Sequence, residues 1–234
     1  MQRMATQRTL LLAAATVICA LAAIASAPWA LNQPALNFIF KPLTTAFVIA
    51  HAWPRGLDQP AQRRWVLVGL SLSWIGDVAL LWPQQGFLPG LVSFLLAHLA
   101  YLKAFTTEHR LAAWPLAFVG YGLLASIILW LLWPGIPAAL RAPVVAYVLC
   151  LSAMAAQTAV LWHGGRPRGR LLALGGALFM LSDALLATNK FAGPLPLPNL
   201  WILSIYWAAP WCLASWLAPA LANSTLPESR SAGR

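Results

Sequence analysis

Acidic residues are nearly absent from this chain. Its 234 residues include five Asp and Glu against 15 Lys and Arg. Charge of either sign makes up 9% of the chain, whereas soluble domains carry about 25%. That shortage excludes a water-soluble globule. Cysteine is also scarce: Cys19, Cys150 and Cys212 lie in separate apolar runs with no CxxC spacing, which excludes a disulfide framework. No segment alternates polar and apolar residues as a membrane β-strand does, so a β-barrel is excluded. There is no HExxH motif, and of the four histidines only His98 lies well inside an apolar run. The expectation is therefore no metal site and no cofactor.

What the chain has is long apolar runs. It is 61% hydrophobic with a mean hydropathy of +0.73. At about 20 residues per span, eight segments are read near 9–27, 34–53, 64–83, 86–106, 111–133, 139–162, 169–190 and 198–221. The fold class is all-α, a polytopic transmembrane helix bundle. Residues 1–222 form one eight-helix domain, and 223–234 form a disordered C-terminal tail.

The basic residues sort by loop. With the N-terminus cytoplasmic, Arg3, Arg8, Arg55, Arg63, Arg64, Lys103, Arg110, Arg166, Arg168, Arg170, Arg230 and Arg234 are inside. Arg141 and Lys190 are outside, and Lys41 falls within a helix. This is the positive-inside pattern, with both termini cytoplasmic. The net charge of +10 therefore reports topology, and no nucleic-acid partner is expected. The location expected is a cell membrane, such as a bacterial inner membrane. The first run, ending in Ala25-Ser26-Ala27, also imitates a secretory signal with its cleavage site.

Two of the five acids sit where acids are costly. Asp77 lies in SLSWIGDVALLW and Asp183 in ALFMLSDALLAT. A carboxylate at membrane depth costs roughly 2.5–3.5 kcal/mol on insertion scales. Counting about 1.5 Å per residue, Lys41, Asp77, Asp183 and Tyr206 all fall roughly 9–12 Å below the outer boundary. His98 is deeper, with Tyr101 one turn further in, and Lys190 is near a helix end. Gly76 and Ser182 precede the two acids and suit close helix approach. A shift of 106 residues places Asp77 on Asp183 and Lys41 on Tyr147, a short internal repeat. The plain alternative is structural: one cation, Lys41, shared by two acids, or Lys41 snorkelling outward.

At these residues the chain resembles a known family. KPLTT (41–45), GDVALL (76–81), FLPGLVSFLLAHLAY (87–101) and GALFMLSDALLATNKF (176–191) match, in order, the pattern of the YhhN-like lysoplasmalogenases. The resemblance implies a membrane hydrolase that takes a lysoplasmalogen, a lysophospholipid with one vinyl-ether chain, from the bilayer. The products would be a fatty aldehyde and the glycerophospho-base. One departure stands out. The family commonly has Gln about four residues after the eighth-span Tyr, where this chain has Pro210 after Tyr206.

Vinyl ethers are hydrolysed by acid. A proton goes to the β-carbon, water adds to the resulting oxocarbenium ion, and the hemiacetal collapses. That chemistry needs a carboxyl that keeps its proton, and a carboxylate that steadies positive charge and activates water. Two acids in a low-dielectric site suit these roles, and glycoside hydrolysis follows the same logic. The expected catalytic pair is Asp77 and Asp183. Lys41, His98, Tyr101, Ser182, Lys190 and Tyr206 are the expected binding or orienting residues, with His98 or Tyr206 placing the water. A proton-coupled carrier is the rival, because intramembrane acids and a lysine are also parts of proton relays.

Overall fold

The computed structural model describes residues 2–82, 84–107 and 109–219. The C-terminal tail expected over 223–234 lies outside the described residues. The elements are α1 (Gln2–Ala25), α2 (Pro34–Ala52), α3 (Pro60–Ala79), α4 (Phe87–Thr106), α5 (Pro115–Leu132), α6 (Ala138–His163), α7 (Gly169–Phe191) and α8 (Pro198–Trp216). One 3-10 turn, Trp133–Gly135, separates α5 from α6. Four helices open on proline: Pro34, Pro60, Pro115 and Pro198. Proline suits that position, because its missing N–H has no intrahelical partner there and its φ is already helical.

Six helices, α1, α2, α4, α5, α6 and α7, are long and apolar enough to cross a membrane. The chain is a multi-pass helical membrane protein. Of the other two, α3 carries Gln62, Arg63, Arg64 and Asp77 within 20 residues, and α8 carries Asn199, Ser204 and Pro210. Both are nevertheless embedded. α3 packs between α2 and α4, and α8 between α7 and α2.

The packing closes a ring in the order α2, α3, α4, α6, α7, α8 and back to α2. α1 lies outside it against α2 and α8, and α5 lies outside it against α6 and α7. The 106-residue repeat therefore has a physical counterpart, since each half gives the ring three consecutive helices and leaves its first outside. Free cysteines Cys19, Cys150 and Cys212 are buried packing residues. α1 contributes Ala23 and Ile24 to the main core.

Several boundaries differ from the sequence reading: α1 starts at Gln2 rather than 9, α5 at Pro115 rather than 111, and α8 ends at Trp216 rather than 221. α3 spans 60–79 rather than 64–83, because Pro60 starts it early and Leu80 has already left helical geometry (φ −72°, ψ 0°). The sequence then meets Pro83, which the residue before it cannot approach in helical form without strain. Asp77 consequently stands in the last turn of α3.

One end of the bundle is tied. Arg55 Nε on the α2–α3 loop and Arg168 Nη1 on the α6–α7 loop both donate to the Leu217 carbonyl, at 3.2 and 3.0 Å. Gly56 N–H adds a bond to the Ala218 carbonyl at 2.8 Å. Two cations thus cap the carbonyl end of α8, where the helix dipole is negative. Burial and, secondarily, the neighbouring Arg168 charge pull the Arg55 guanidinium below its ordinary range.

Candidate active site

Asp77 is 1% exposed, and three helices reach it. Thr45 Oγ1 on α2 donates to its Oδ2 at 2.6 Å, and the Tyr206 hydroxyl on α8 donates to the same oxygen at 2.8 Å. Trp207 Nε1 in turn donates to Thr45 Oγ1 at 3.2 Å. Lys41, 7% exposed, lies one turn before Thr45 and within electrostatic reach of Asp77. α3 can come this close to α4 because Gly76 has no side chain, and the Phe94 ring fills the place a Cβ would take.

Asp183 has a different setting. It is partly buried and accepts one hydrogen bond, a short one from the Tyr147 hydroxyl on α6 to Oδ2. It also lines an apolar cavity of about 90 Å³. The cavity lies between α4, α5, α6 and α7, at the end of the bundle opposite Leu217. Leu91, Leu129, Val148, Met180 and Ala187 form much of its wall. Phe87 and Phe191 also line it, with their rings edge to face at 5.9 Å. The exposed Lys190 holds its Nζ 4.7 Å from the Phe87 ring centre.

No hydrogen bond joins the two carboxylates among the described residues. Aromatic rings separate them instead. Tyr206 touches Phe94 (5.8 Å between ring centres) and Phe179 (6.0 Å). Phe179 lies edge-on to His98 at 5.2 Å, and His98 lies edge-on to Tyr147 at 5.3 Å. His98 is completely buried, and among the described residues neither of its ring nitrogens has a hydrogen-bond partner. An imidazole with both nitrogens unmatched is uncommon in a protein interior.

The sequence-predicted residues therefore divide. Asp77, Lys41 and Tyr206 form one cluster, and Asp183 belongs to another. His98 lies between them, and Tyr101 bonds Ser73 at 3.0 Å below it. Ser182 turns away from the cavity and donates to the Ile202 carbonyl at 3.1 Å, tying α7 to α8. Sequence reasoning passed over Thr45 and Tyr147 as site residues. Thr45 stands one turn after Lys41 within KPLTT. Tyr147 is the residue that the repeat sets opposite Lys41, and each of these two serves the acid of its own half.

The YhhN family profile matches residues 36–217, which takes in every residue of both clusters. The chain belongs to the YhhN family. Among its relatives is the pig lysoplasmalogenase TMEM86B (Sus scrofa), 40% identical over 149 residues, 60% of this chain and 57% of that protein. The human lysoplasmalogenase TMEM86A (Homo sapiens) is 34% identical over 171 residues, 70% of this chain and 68% of that one. A lysoplasmalogenase of Mycobacterium tuberculosis (strain CDC 1551 / Oshkosh) is 32% identical over 170 residues, covering 69% and 61%. The match thus spans less than two thirds of the pig protein and its human counterpart. No solved structure matches this member of the YhhN family.

Proposed function

We propose that this protein is a membrane-embedded hydrolase that cleaves the vinyl-ether bond of lysoplasmalogens. It releases a fatty aldehyde and a glycerophospho-base, with carboxyl groups as the acid–base machinery. The observation that carries this reading is Asp183. A carboxyl on the wall of an otherwise apolar cavity is where a lipid chain and an acid-sensitive bond can meet. A second buried acid, Asp77, stands behind it across a layer of aromatic rings. The relatives that share this sequence pattern are named lysoplasmalogenases, and their names lend a carrier no support.

In this reading the hydrocarbon chain lies in the cavity, and Asp183 and Asp77 are the acids on which the reaction draws. Lys190, beside Phe87 at the cavity wall, offers a cation to the lipid phosphate. Lys41 and Tyr206 hold Asp77, Tyr101 supports the wall behind His98, and Ser182 fixes α7 against α8. The reaction consumes only water besides its substrate. The work takes place in a cell membrane, with the substrate arriving sideways from the bilayer.

The test is product analysis with purified protein in detergent and an alkenyl lysophospholipid. Free aldehyde in step with protein supports the hydrolase. Lipid movement in vesicles without aldehyde supports a carrier instead.

A further inference from the structure

The two acids differ in their access to the cavity. Asp77 is absent from the cavity wall, and its Oδ2 takes two hydroxyl donors. These donors come from α2 and α8 and turn the carboxyl toward those helices. Asp183 lines the cavity, has a single donor in Tyr147, and keeps Oδ1 free of protein partners among the described residues. A carboxyl with one oxygen held and the other unheld can carry a transferable proton.

We propose that Asp183 alone makes the proton transfers of the reaction, with Tyr147 as its positioning residue. Asp77, outside the cavity wall, never touches the substrate. The inference rests on the hydrolase reading and assigns roles within it. Asp183 gives its proton to the β-carbon of the vinyl ether. The π electrons form the new C–H bond, and the α-carbon becomes an oxocarbenium ion. The Tyr147 hydroxyl keeps its bond to the Asp183 carboxylate and limits its motion. Water adds to the α-carbon and returns a proton to Asp183. The protonated Asp183 then gives its proton to the ether oxygen while its other oxygen takes the hemiacetal hydroxyl proton, and the bond between carbon and the ether oxygen breaks. One water is consumed, the aldehyde and the glycerol hydroxyl leave, and Asp183 ends protonated as it began. An acid that turns base halfway is the pattern of retaining glycosidases.

The experiment is carboxyl labelling of the full-length wild-type protein in detergent. Dicyclohexylcarbodiimide, an apolar reagent, reacts with protonated carboxyls in apolar surroundings, and mass spectrometry locates the adduct. The result expected is an adduct on Asp183 and none on Asp77. A saturated alkyl-ether lysophospholipid, which fills the cavity but has no bond to cleave, should suppress it. Aldehyde release should fall in step with the labelled fraction. Tyr147→Phe should lower kcat by about tenfold or more and leave KM and the labelled site unchanged. An adduct on Asp77, an adduct on Asp183 with undiminished turnover, or no adduct on either acid overturns the proposal. A wild-type protein that labels at Asp183 but releases no aldehyde sinks the hydrolase reading and this inference together, while leaving the cavity acid in place.

Discussion

Tyr206 on α8 donates its hydroxyl to Asp77 on α3 at 2.8 Å, joining residues 129 apart in sequence. The bond closes the ring of helices at the level of the acids. Thr45 brings α2 to the same oxygen, so a single carboxylate oxygen organises three helices.

Removing either donor should therefore cost stability. Tyr206→Phe and Thr45→Val each take one hydrogen bond from a buried carboxylate, worth about 1.5–3 kcal/mol for a charged acceptor. The double variant should lose more than the two single losses combined, because either donor alone still satisfies the shared acceptor and the double variant leaves it bare. Thermal unfolding in detergent, read as Tm, checks both statements. Additive losses would show that the bonds are independent.

His98 should behave in the opposite way. Its two ring nitrogens have no hydrogen-bond partner among the described residues, and an unmatched buried polar group costs about 1–3 kcal/mol. His98→Leu should raise Tm while lowering aldehyde release. A variant that loses both stability and turnover would mean that the ring is needed for packing alone.

Asp183→Asn should lower kcat by at least about 100-fold, the usual range for a lost general acid. Its Tm should stay near wild type, because a side-chain amide can still accept from Tyr147. Turnover within a few-fold of wild type would remove Asp183 from the chemistry.

The cavity sets an upper size for the chain it holds. Ala187→Phe puts a ring into that space. kcat/KM should fall about tenfold or more for the longest alkenyl chains, since each excluded methylene is worth about 1–3 kcal/mol. Short chains should be little affected. A uniform fall across chain lengths would mean that the chain lies elsewhere.

Much of this was legible in the sequence because lipid imposes few choices. Apolar length and loop charge locate the eight helices, and α3 stands four residues earlier than hydropathy alone reads because Pro60 starts it. Depth counting placed Lys41, Asp77 and Tyr206 in one layer, and hydrogen bonds join Tyr206 to Asp77 there. Depth has no azimuth, however. It could not tell that Asp183 faces α6 and a cavity, while Asp77 faces α2 and α8. The hydroxyl partners were hidden for the same reason. Thr45 and Tyr147 are ordinary residues of apolar helices until the rotation of each helix is known. The aromatic layer between the acids comes from α4 and α7 together, and neither segment announces it alone.

The shared carbonyl of Leu217 has a mechanical consequence. Arg55 and Arg168 belong to opposite halves of the chain and hold the same atom, so the helices cannot part at that end without breaking charged bonds. The cavity and its acid lie at the other end. If a lipid enters between helices, as the proposed function requires, the untied end beside the cavity is free to open for it, and the riveted end is the hinge.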